Sequence, residues 1–195
     1  QQSAQNLFSQ QPQMDSNFQY TDEELILRFQ EGDEQAYIEL VKRYKDKLIN
    51  FVYRLVSDRD QAEDIIQDTM LKLYTHKHYY KNIAKFSTWI YTIARNLANN
   101  ELRKKNRAKV MYLSQMTNDK KGYDLKSNDP SLIAGIENEF LLDELNLAIE
   151  RLPKTYKTSI ILRDIQGLSY EQISNILGVP LGTIKSRINR ARLQL

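Results

Sequence analysis

The chain has 195 residues, enough for one large or two small domains, and its formal net charge is only +3. It contains no cysteine, which excludes a disulfide framework and a thiolate-bound metal and fits a reducing cytosol. No apolar run approaches the ~18 residues of a membrane span, and no secretory signal pattern opens the sequence. Because glycine, proline and alternating β-branched residues are scarce, we expect an all-α fold.

Positive charge is concentrated in two segments. Residues 95–109 hold six Arg or Lys residues against the single acid Glu101, and residues 185–192 hold four with no acid. Local patches of this kind matter more for binding a polyanion than the net charge does.

The N-terminal part of the chain predicts a tail and two helices. Residues 1–20 are rich in Gln and Ser, and we expect them to form a disordered tail. A first helix should begin at Thr21, whose side chain can form a capping box with Glu24. After a Gly-Asp break, a second helix is predicted over about residues 34–56, because apolar residues recur there at helical spacing.

A third helix, predicted over about residues 60–74, is acidic at its start. The helix dipole favours acids in a first turn, which alone explains Glu63 and Asp64. Asp68 lies beyond that turn, and no nucleophile or glycine loop accompanies these acids as in a catalytic site. Two interpretations stay open, namely a docking surface for a basic partner and a plain solvated face.

A polar, aromatic and basic loop is predicted over residues 75–85. It contains His76 and His78, the only histidines of the chain, and no third soft ligand accompanies them. We therefore expect neither a metal site nor a cofactor. A basic loop with aromatic residues suits unstacked, single-stranded bases.

A fourth helix is predicted over about residues 86–107. Its expected buried stripe consists of Phe86, Ile90, Ile93 and Leu97. The opposite face, here called the asparagine stripe, consists of Thr92, Asn96, Asn99, Asn100 and Arg103. Asparagine is a poor helix former, so contact with nucleic acid is the favoured reason for three of them on one exposed face. We interpret Trp89 as a core residue, with a stacking wedge as the alternative.

The second half of the chain predicts a linker over residues 110–136 and a helical domain from about Glu137. One helix should end at Pro153, and its apolar face consists of Phe140, Leu141, Leu145, Ala148, Ile149 and Leu152. The next should end at Gly167, and its apolar face consists of Tyr156, Ile160, Ile161 and Ile165.

The last segment predicts a helix-turn-helix. Ser169 and Gln172 can form a capping box, Gly178 can supply the positive φ that ends the first helix, and Pro180 can start the second. The inward positions of that second helix are Ile184, Ile188, Ala191 and Leu195. Its exposed side carries Lys185, Ser186, Asn189 and Arg190. Because such side chains read guanine and adenine edges, we favour DNA recognition over a surface helix with solvated charges.

Together, three stretches resemble the extracytoplasmic-function (group 4) sigma factors, the minimal two-domain class of bacterial sigma-70-type initiation factors. They are AEDIIQD at 62–68, FSTWIYTIARN at 86–96, and the segment from Leu152-Pro153 through GLSY at 167–170 to PLGTIKSR at 180–187 and RAR at 190–192. The resemblance implies sigma region 2 at 21–109, a linker at 110–136 and sigma region 4 at 137–195. It also implies a cytoplasmic bacterial protein that is not an enzyme and confers promoter specificity on RNA polymerase.

The resemblance implies three functional surfaces and no catalytic residue. The surface for the clamp coiled coil of the polymerase β′ subunit consists of Asp64, Gln67, Asp68 and Leu71. The minus-ten surface, which captures a flipped base and borders the melted DNA, consists of Lys81, Asn82, Ile83, Lys85, Asn96, Asn99, Asn100 and Arg103. The surface for the minus-35 major groove consists of Thr183, Lys185, Ser186, Arg187, Asn189 and Arg190.

The implied partners are core RNA polymerase, through its β′ clamp coiled coil and its β flap, promoter DNA and an anti-sigma factor. Met70 departs from the family pattern, because an aromatic residue is common there. Asn82, Ile83 and Asn189 lie at positions that vary in the family, so the base preference stays open.

Two other classes of protein explain less of the sequence. A dimeric helix-turn-helix repressor would account for the C-terminal domain but would leave the acidic helix and the asparagine stripe without a role. A nuclease would need clustered metal carboxylates or a nucleophile–base pair, and the sequence offers neither.

Overall fold

The computed structural model describes residues 20–116 and 138–195, with side chains described for 20–112 and 144–195. These residues form helices and no strand, which confirms the all-α prediction. The helices are α1 Asp22–Gln30, α2 Glu34–Val56, α3 Arg59–Thr75, α4 Phe86–Met116, α5 Asn138–Arg151, α6 Lys154–Ile160, α7 Tyr170–Leu177 and α8 Leu181–Arg192. A 3₁₀ turn, Lys77–Tyr79, follows α3, and a π-helical turn, Ile161–Ile165, continues α6.

Local capping explains where several helices begin. The Thr21 hydroxyl accepts a hydrogen bond from the Glu24 amide at 3.2 Å, and the Glu24 carboxylate accepts one from the Thr21 amide at 2.7 Å. This confirms the predicted capping box, and these bonds lower the pKa of Glu24. The same reciprocal arrangement joins Ser169 and Gln172 at the start of α7.

Helices α1 to α4 form the N-terminal module around one apolar core. Its fully buried side chains include Ile26, Phe29, Leu40, Leu48, Phe51, Val52, Leu73, Phe86 and Ile90. Burying a side chain of this size stabilises the fold by about 1.5–3 kcal/mol. This core holds α3 and α4 in place and leaves one side of each helix at the surface.

Helix α4 differs from its prediction in length and in its buried face. It continues from the expected end near residue 107 to Met116, because residues 108–116 contain no glycine or proline that would stop it. Ile93 and Leu97, expected in the core, are only half-buried. Tyr91, Ala94 and Ala98 are buried instead, since α4 packs against α7 as well as α2 and α3.

Helices α5 to α8 form the C-terminal module, whose core includes Ile149, Leu152, Ile161, Ile173 and Ile188. Three residues expected to face inward are exposed, namely Leu145, Ile165 and Leu195. The π-helical turn shifts the register after α6, so that Leu162 is buried in place of Ile165, and α8 ends before Leu195. The side chains of Phe140 and Leu141 lie outside the described residues.

The two modules contact each other through α4 and α7 and through α2 and the π-helical turn, and buried apolar residues of both modules form one continuous cluster. The Tyr91 hydroxyl donates to Gln166 Oε1 at 2.6 Å, across a sequence separation of 75 residues. Gln172 Nε2 donates to the Ser87 hydroxyl at 2.7 Å, and the Arg95 guanidinium donates to the Ile176 carbonyl at 3.0 Å. Burial at this contact lowers the pKa of Arg95.

The segment boundaries differ from the sequence predictions in two places. Tyr20, assigned to the tail, is tied to the N-terminal module, because Arg43 donates to its carbonyl at 2.8 Å and Arg28 lies 4.3 Å from its ring centroid. The linker predicted to begin at residue 110 overlaps the last turns of α4. The rest of the tail and residues 117–136 of the linker lie outside the described residues, so these assignments stay predictions.

Candidate functional site

The acidic face of α3 is fully at the surface. Asp64, Gln67, Asp68 and Leu71 follow one another on successive turns and are exposed, and we call them the docking face. Leu71 has 59% of its surface exposed although it is apolar. Ile65, Ile66, Met70 and Leu73 on the other side of α3 are buried, and Met70 therefore serves the core.

The loop at residues 81–85 projects its side chains into solvent, and Ile83 is 87% exposed. Both ends of this loop are held by hydrogen bonds. The buried Tyr80 donates its hydroxyl to the Ala84 carbonyl at 2.8 Å, and the Phe86 amide donates to the Glu23 carboxylate at 2.9 Å. Gln30 Nε2 donates to the carbonyls of Lys77 and Tyr80 at 2.7 and 3.1 Å.

The asparagine stripe of α4 lies next to this loop along the chain. Asn96, Asn100 and Arg103 are exposed, while Asn99 is half-buried. Thr92 is also half-buried, and its hydroxyl donates to the Thr88 carbonyl. The stripe therefore presents amide groups and one guanidinium on a single helical surface.

Trp89 has features of both roles considered for it, a core residue and a stacking wedge. Its ring is half-buried, with centroid distances of 5.6 Å to Tyr80 and 6.1 Å to Phe86. It thus supports the aromatic cluster under the 81–85 loop and keeps part of its surface exposed.

The exposed side of α8 carries Lys185, Ser186, Asn189 and Arg190, and the half-buried Thr183 and Arg187 border it. These six residues are called the recognition face. They are held outward because Ile184, Ile188 and Ala191 are buried against the rest of the C-terminal module. Arg192, which also belongs to the basic segment, is instead paired with Asp164 by bonds of 3.0 and 2.5 Å.

His76 has structural contacts of its own. His76 stacks on Tyr79 with ring centroids 5.4 Å apart, and its Nδ1 lies 2.7 Å from the Thr75 hydroxyl. Among the residues that the structure describes, no group of three His, Cys, Asp or Glu side chains could hold a metal ion.

Sequence reasoning missed three residues that organise these surfaces. Glu23 and Gln30 of α1 hold the 81–85 loop, and Arg95 of the first basic segment serves the contact between the modules. Their partners lie 47 to 81 residues away along the chain, so no local pattern indicates them.

Two family models match the chain in the order of the two modules. The model described as "Sigma-70 region 2" matches residues 40–108, and the one described as "Sigma-70, region 4" matches residues 142–195. A relative named ECF RNA polymerase sigma-E factor, from Haemophilus influenzae, is 37% identical over 178 residues, which cover 89% of this chain and 93% of that protein. The chain belongs to the extracytoplasmic-function sigma factors. The family resemblance found in the sequence is thereby confirmed.

Other sigma factors support the same membership. The RNA polymerase sigma-H factor of Pseudomonas aeruginosa is 33% identical and covers 89% of this chain and 91% of that protein. The sigma factor RpoE of Bartonella quintana, solved in complex with the anti-sigma factor NepR, aligns with a TM-score of 0.64. It is 27% identical, over 81% of this chain and 92% of that chain. Helix α1 lies before the region 2 match, which begins at residue 40.

None of the helices in the described part of this sigma factor has both the length and the apolar character to cross a bilayer.

Proposed function

We propose that this sigma factor uses a different one of the surfaces described above for each of its partners. It directs promoter recognition, DNA melting and transcription initiation as a subunit of RNA polymerase. The docking face of α3 binds the β′ clamp coiled coil, and the C-terminal module binds the β flap. The 81–85 loop and the asparagine stripe act on the minus-ten element, and the recognition face reads the minus-35 element. The chain itself catalyses no reaction, and it works in the bacterial cytoplasm with the polymerase.

The observation that carries this proposal is the segregation of side chains on α3 and α8. On both helices, apolar residues fill the core, while most of the residues implied for a partner lie at the surface. Leu71 within the acidic face adds an apolar contact, which suits a protein partner with basic and apolar side chains.

At the minus-35 element, α8 can supply both affinity and sequence preference. Lys185 neutralises phosphate charge, which makes duplex binding weaker as salt concentration rises. Arg190 and Asn189, both exposed on α8, contact base edges in this proposal, where one good bidentate pair discriminates by about 1–3 kcal/mol.

At the minus-ten element, the free energy of opening the DNA must be offset. Extruding a base costs a few kcal/mol, and stacking on an aromatic ring returns about 1–3 kcal/mol per base. The exposed part of Trp89 offers such an aromatic surface, and the exposed loop residues Asn82 and Ile83 offer polar and apolar contacts to an extruded base. The polymerase supplies the remaining binding surface and the catalysis.

An anti-sigma factor is a further partner under this proposal. The Bartonella quintana sigma factor similar to this chain was solved in complex with one. The exposed docking face is the surface for which such a regulator would compete with core polymerase.

The test is in-vitro transcription with bacterial core polymerase, followed by mapping of transcript starts on fragmented genomic DNA. We expect starts downstream of a shared two-part sequence when the chain is added, and none with core polymerase alone. A chain that binds duplex DNA as a tight dimer and starts no transcript would contradict the proposal and favour a repressor.

A further inference from the structure

We propose that Glu23 and Gln30 of α1 are positioning residues that fix the 81–85 loop and thereby set base discrimination in the minus-ten element. This inference rests on the proposed function of that loop. It extends the promoter-reading machinery to a helix that precedes the matched region 2 and belongs to none of the surfaces assigned above.

The two side chains lie on one face of α1. They are seven residues apart, which is two helical turns and about 10 Å along the axis. The Glu23 carboxylate accepts from the Phe86 amide, at the first residue of α4. Gln30 donates from its side-chain amide to the carbonyls of Lys77, the first residue of the 3₁₀ turn, and Tyr80, the residue after it. One helix therefore holds the chain on both sides of the loop.

Between these two fixed points the loop is closed on itself. The Tyr80 hydroxyl donates to the Ala84 carbonyl, and the Ile83 amide donates to the Lys81 carbonyl at 2.7 Å. Tyr80 is only 4% exposed and packs on Phe86 and Trp89. The backbone is thus fixed while the side chains of Asn82 and Ile83 point into solvent.

A fixed backbone matters for selectivity because the two side chains at the loop tip have little else to hold them. A loop that can adapt its shape to each base discriminates poorly, whereas one held in a single conformation rejects bases that do not fit. The polar bonds from α1 add little net stability in water, but they determine where the loop ends lie. The apolar side of α1, with Ile26 and Phe29, already supplies the packing that stabilises the module.

The experiment uses holoenzyme assembled from the full chain and bacterial core polymerase. The probe is a pool of single-stranded DNA randomised over twelve positions, sequenced before and after binding. The test variants are Gln30→Met and Glu23→Met, which keep side-chain length and remove the polar atoms. Glu23→Gln retains an acceptor oxygen and serves as the conservative rescue. Thr21→Ala removes the α1 capping box without touching the loop and controls for lost stability.

We expect both Met variants to flatten the base preference, that is, to lower the enrichment of the preferred base over the others by about 3- to 10-fold. This range corresponds to one or two net hydrogen bonds. The flattening should occur at the position that Asn82→Ala or Ile83→Ala also flattens. Glu23→Gln and Thr21→Ala should keep the wild-type preference, and binding to core polymerase should be unchanged in all variants. Should one Met variant not fold, the other carries the test.

The failures of the two proposals are distinguishable. If neither Asn82→Ala nor Ile83→Ala changes the preference at any position, the proposed function of the loop is wrong. If those variants flatten the preference while Gln30→Met and Glu23→Met leave it intact, only the role of α1 is wrong. If Thr21→Ala, at a melting temperature equal to that of the Met variants, lost as much base preference as they do, α1 would act only by stabilising the module. That result would overturn the inference.

Discussion

The Tyr91 hydroxyl of the N-terminal module donates a hydrogen bond to Gln166 Oε1 of the C-terminal module. Elements centred on minus ten and minus 35 are 25 base pairs apart, which is roughly 85 Å along B-DNA. A module of this size has a radius of gyration of only about 10–13 Å. Modules joined by the Tyr91 bond are too close to occupy both elements, so we expect this contact to break when the two modules bind the promoter as proposed.

We expect Tyr91→Phe to raise the open fraction of the free chain up to about 5-fold, because it removes one net hydrogen bond from the module contact. Lys45→Cys and Gln194→Cys give exposed labelling sites for energy transfer in a chain without native cysteine. Tyr37→Phe is the matched control, since its hydroxyl bonds to the Met70 carbonyl within the N-terminal module. An identical energy-transfer efficiency for the two variants would contradict the prediction.

Charge reversal on the docking face should separate polymerase binding from folding. Asp64→Lys with Asp68→Lys should weaken core polymerase binding more than about 10-fold, because the introduced lysines would repel the basic surface that the two acids are proposed to bind. Both are exposed, so the free energy of unfolding should change by no more than about 0.5 kcal/mol per substitution.

The control for this prediction places the same charge change elsewhere. Glu31→Lys with Asp46→Lys alters two exposed acids outside α3. Binding is measured by competition with a labelled sigma factor for core polymerase. An equal loss in both double variants would indicate a general effect of net charge and rule out a specific docking face.

Two arginines of α8 should have different roles. Arg190 is exposed on the recognition face, and Arg190→Ala should weaken binding to the mapped minus-35 element by about 1–3 kcal/mol. Arg192 is paired with Asp164, and Arg192→Ala should lower stability by about 1 kcal/mol or less, because this pair is partly exposed. Equilibrium binding to specific and random duplexes, with thermal unfolding, checks both. A uniform loss on all duplexes would make Arg190 a phosphate contact.

Two glycines near the helix-turn-helix turn should respond to alanine in opposite directions. Gly178 ends α7 with φ +66, so Gly178→Ala should cost about 1–2 kcal/mol of stability. Gly182 lies in the first turn of α8, and an added Cβ would meet no atom within 4 Å. Gly182→Ala should therefore stabilise by about 0.5–1 kcal/mol. Thermal unfolding of the full chain measures both, and the same sign for the two would contradict the left-handed backbone at Gly178 or the helical position of Gly182.

Local features of the fold could be predicted from the sequence. The capping boxes at Thr21 and Ser169 were predictable because both partners lie within four residues of each other. The exposure of Lys185, Ser186, Asn189 and Arg190 on α8 followed from helical periodicity. Gln67 and Leu71 of the docking face were indicated only by the family resemblance. Which partner binds each face still depends on the family membership and the proposed tests.

Features set by tertiary contact could not be predicted. The Tyr91 ring is buried because it packs on Tyr44 and Phe51 of α2, which are far from it in the chain. The π-helical turn that exposes Ile165 breaks the periodicity on which the prediction depended. The hydrogen bond from the Phe86 amide to the Glu23 carboxylate joins residues 63 apart in the chain. From the sequence, the Glu23 side chain would be assigned to the solvent-exposed side of α1. Each of these features depends on how whole helices pack against one another, and the spacing of apolar residues along the sequence does not determine that packing.

Helix α4 begins where Glu23 holds its first amide and runs unbroken for 31 residues to Met116, a rod of roughly 46 Å. The continuous backbone hydrogen bonding of this rod fixes the direction in which the chain leaves the N-terminal module. The loop at its start and the segment after its end are therefore held a set distance apart, however the two modules move.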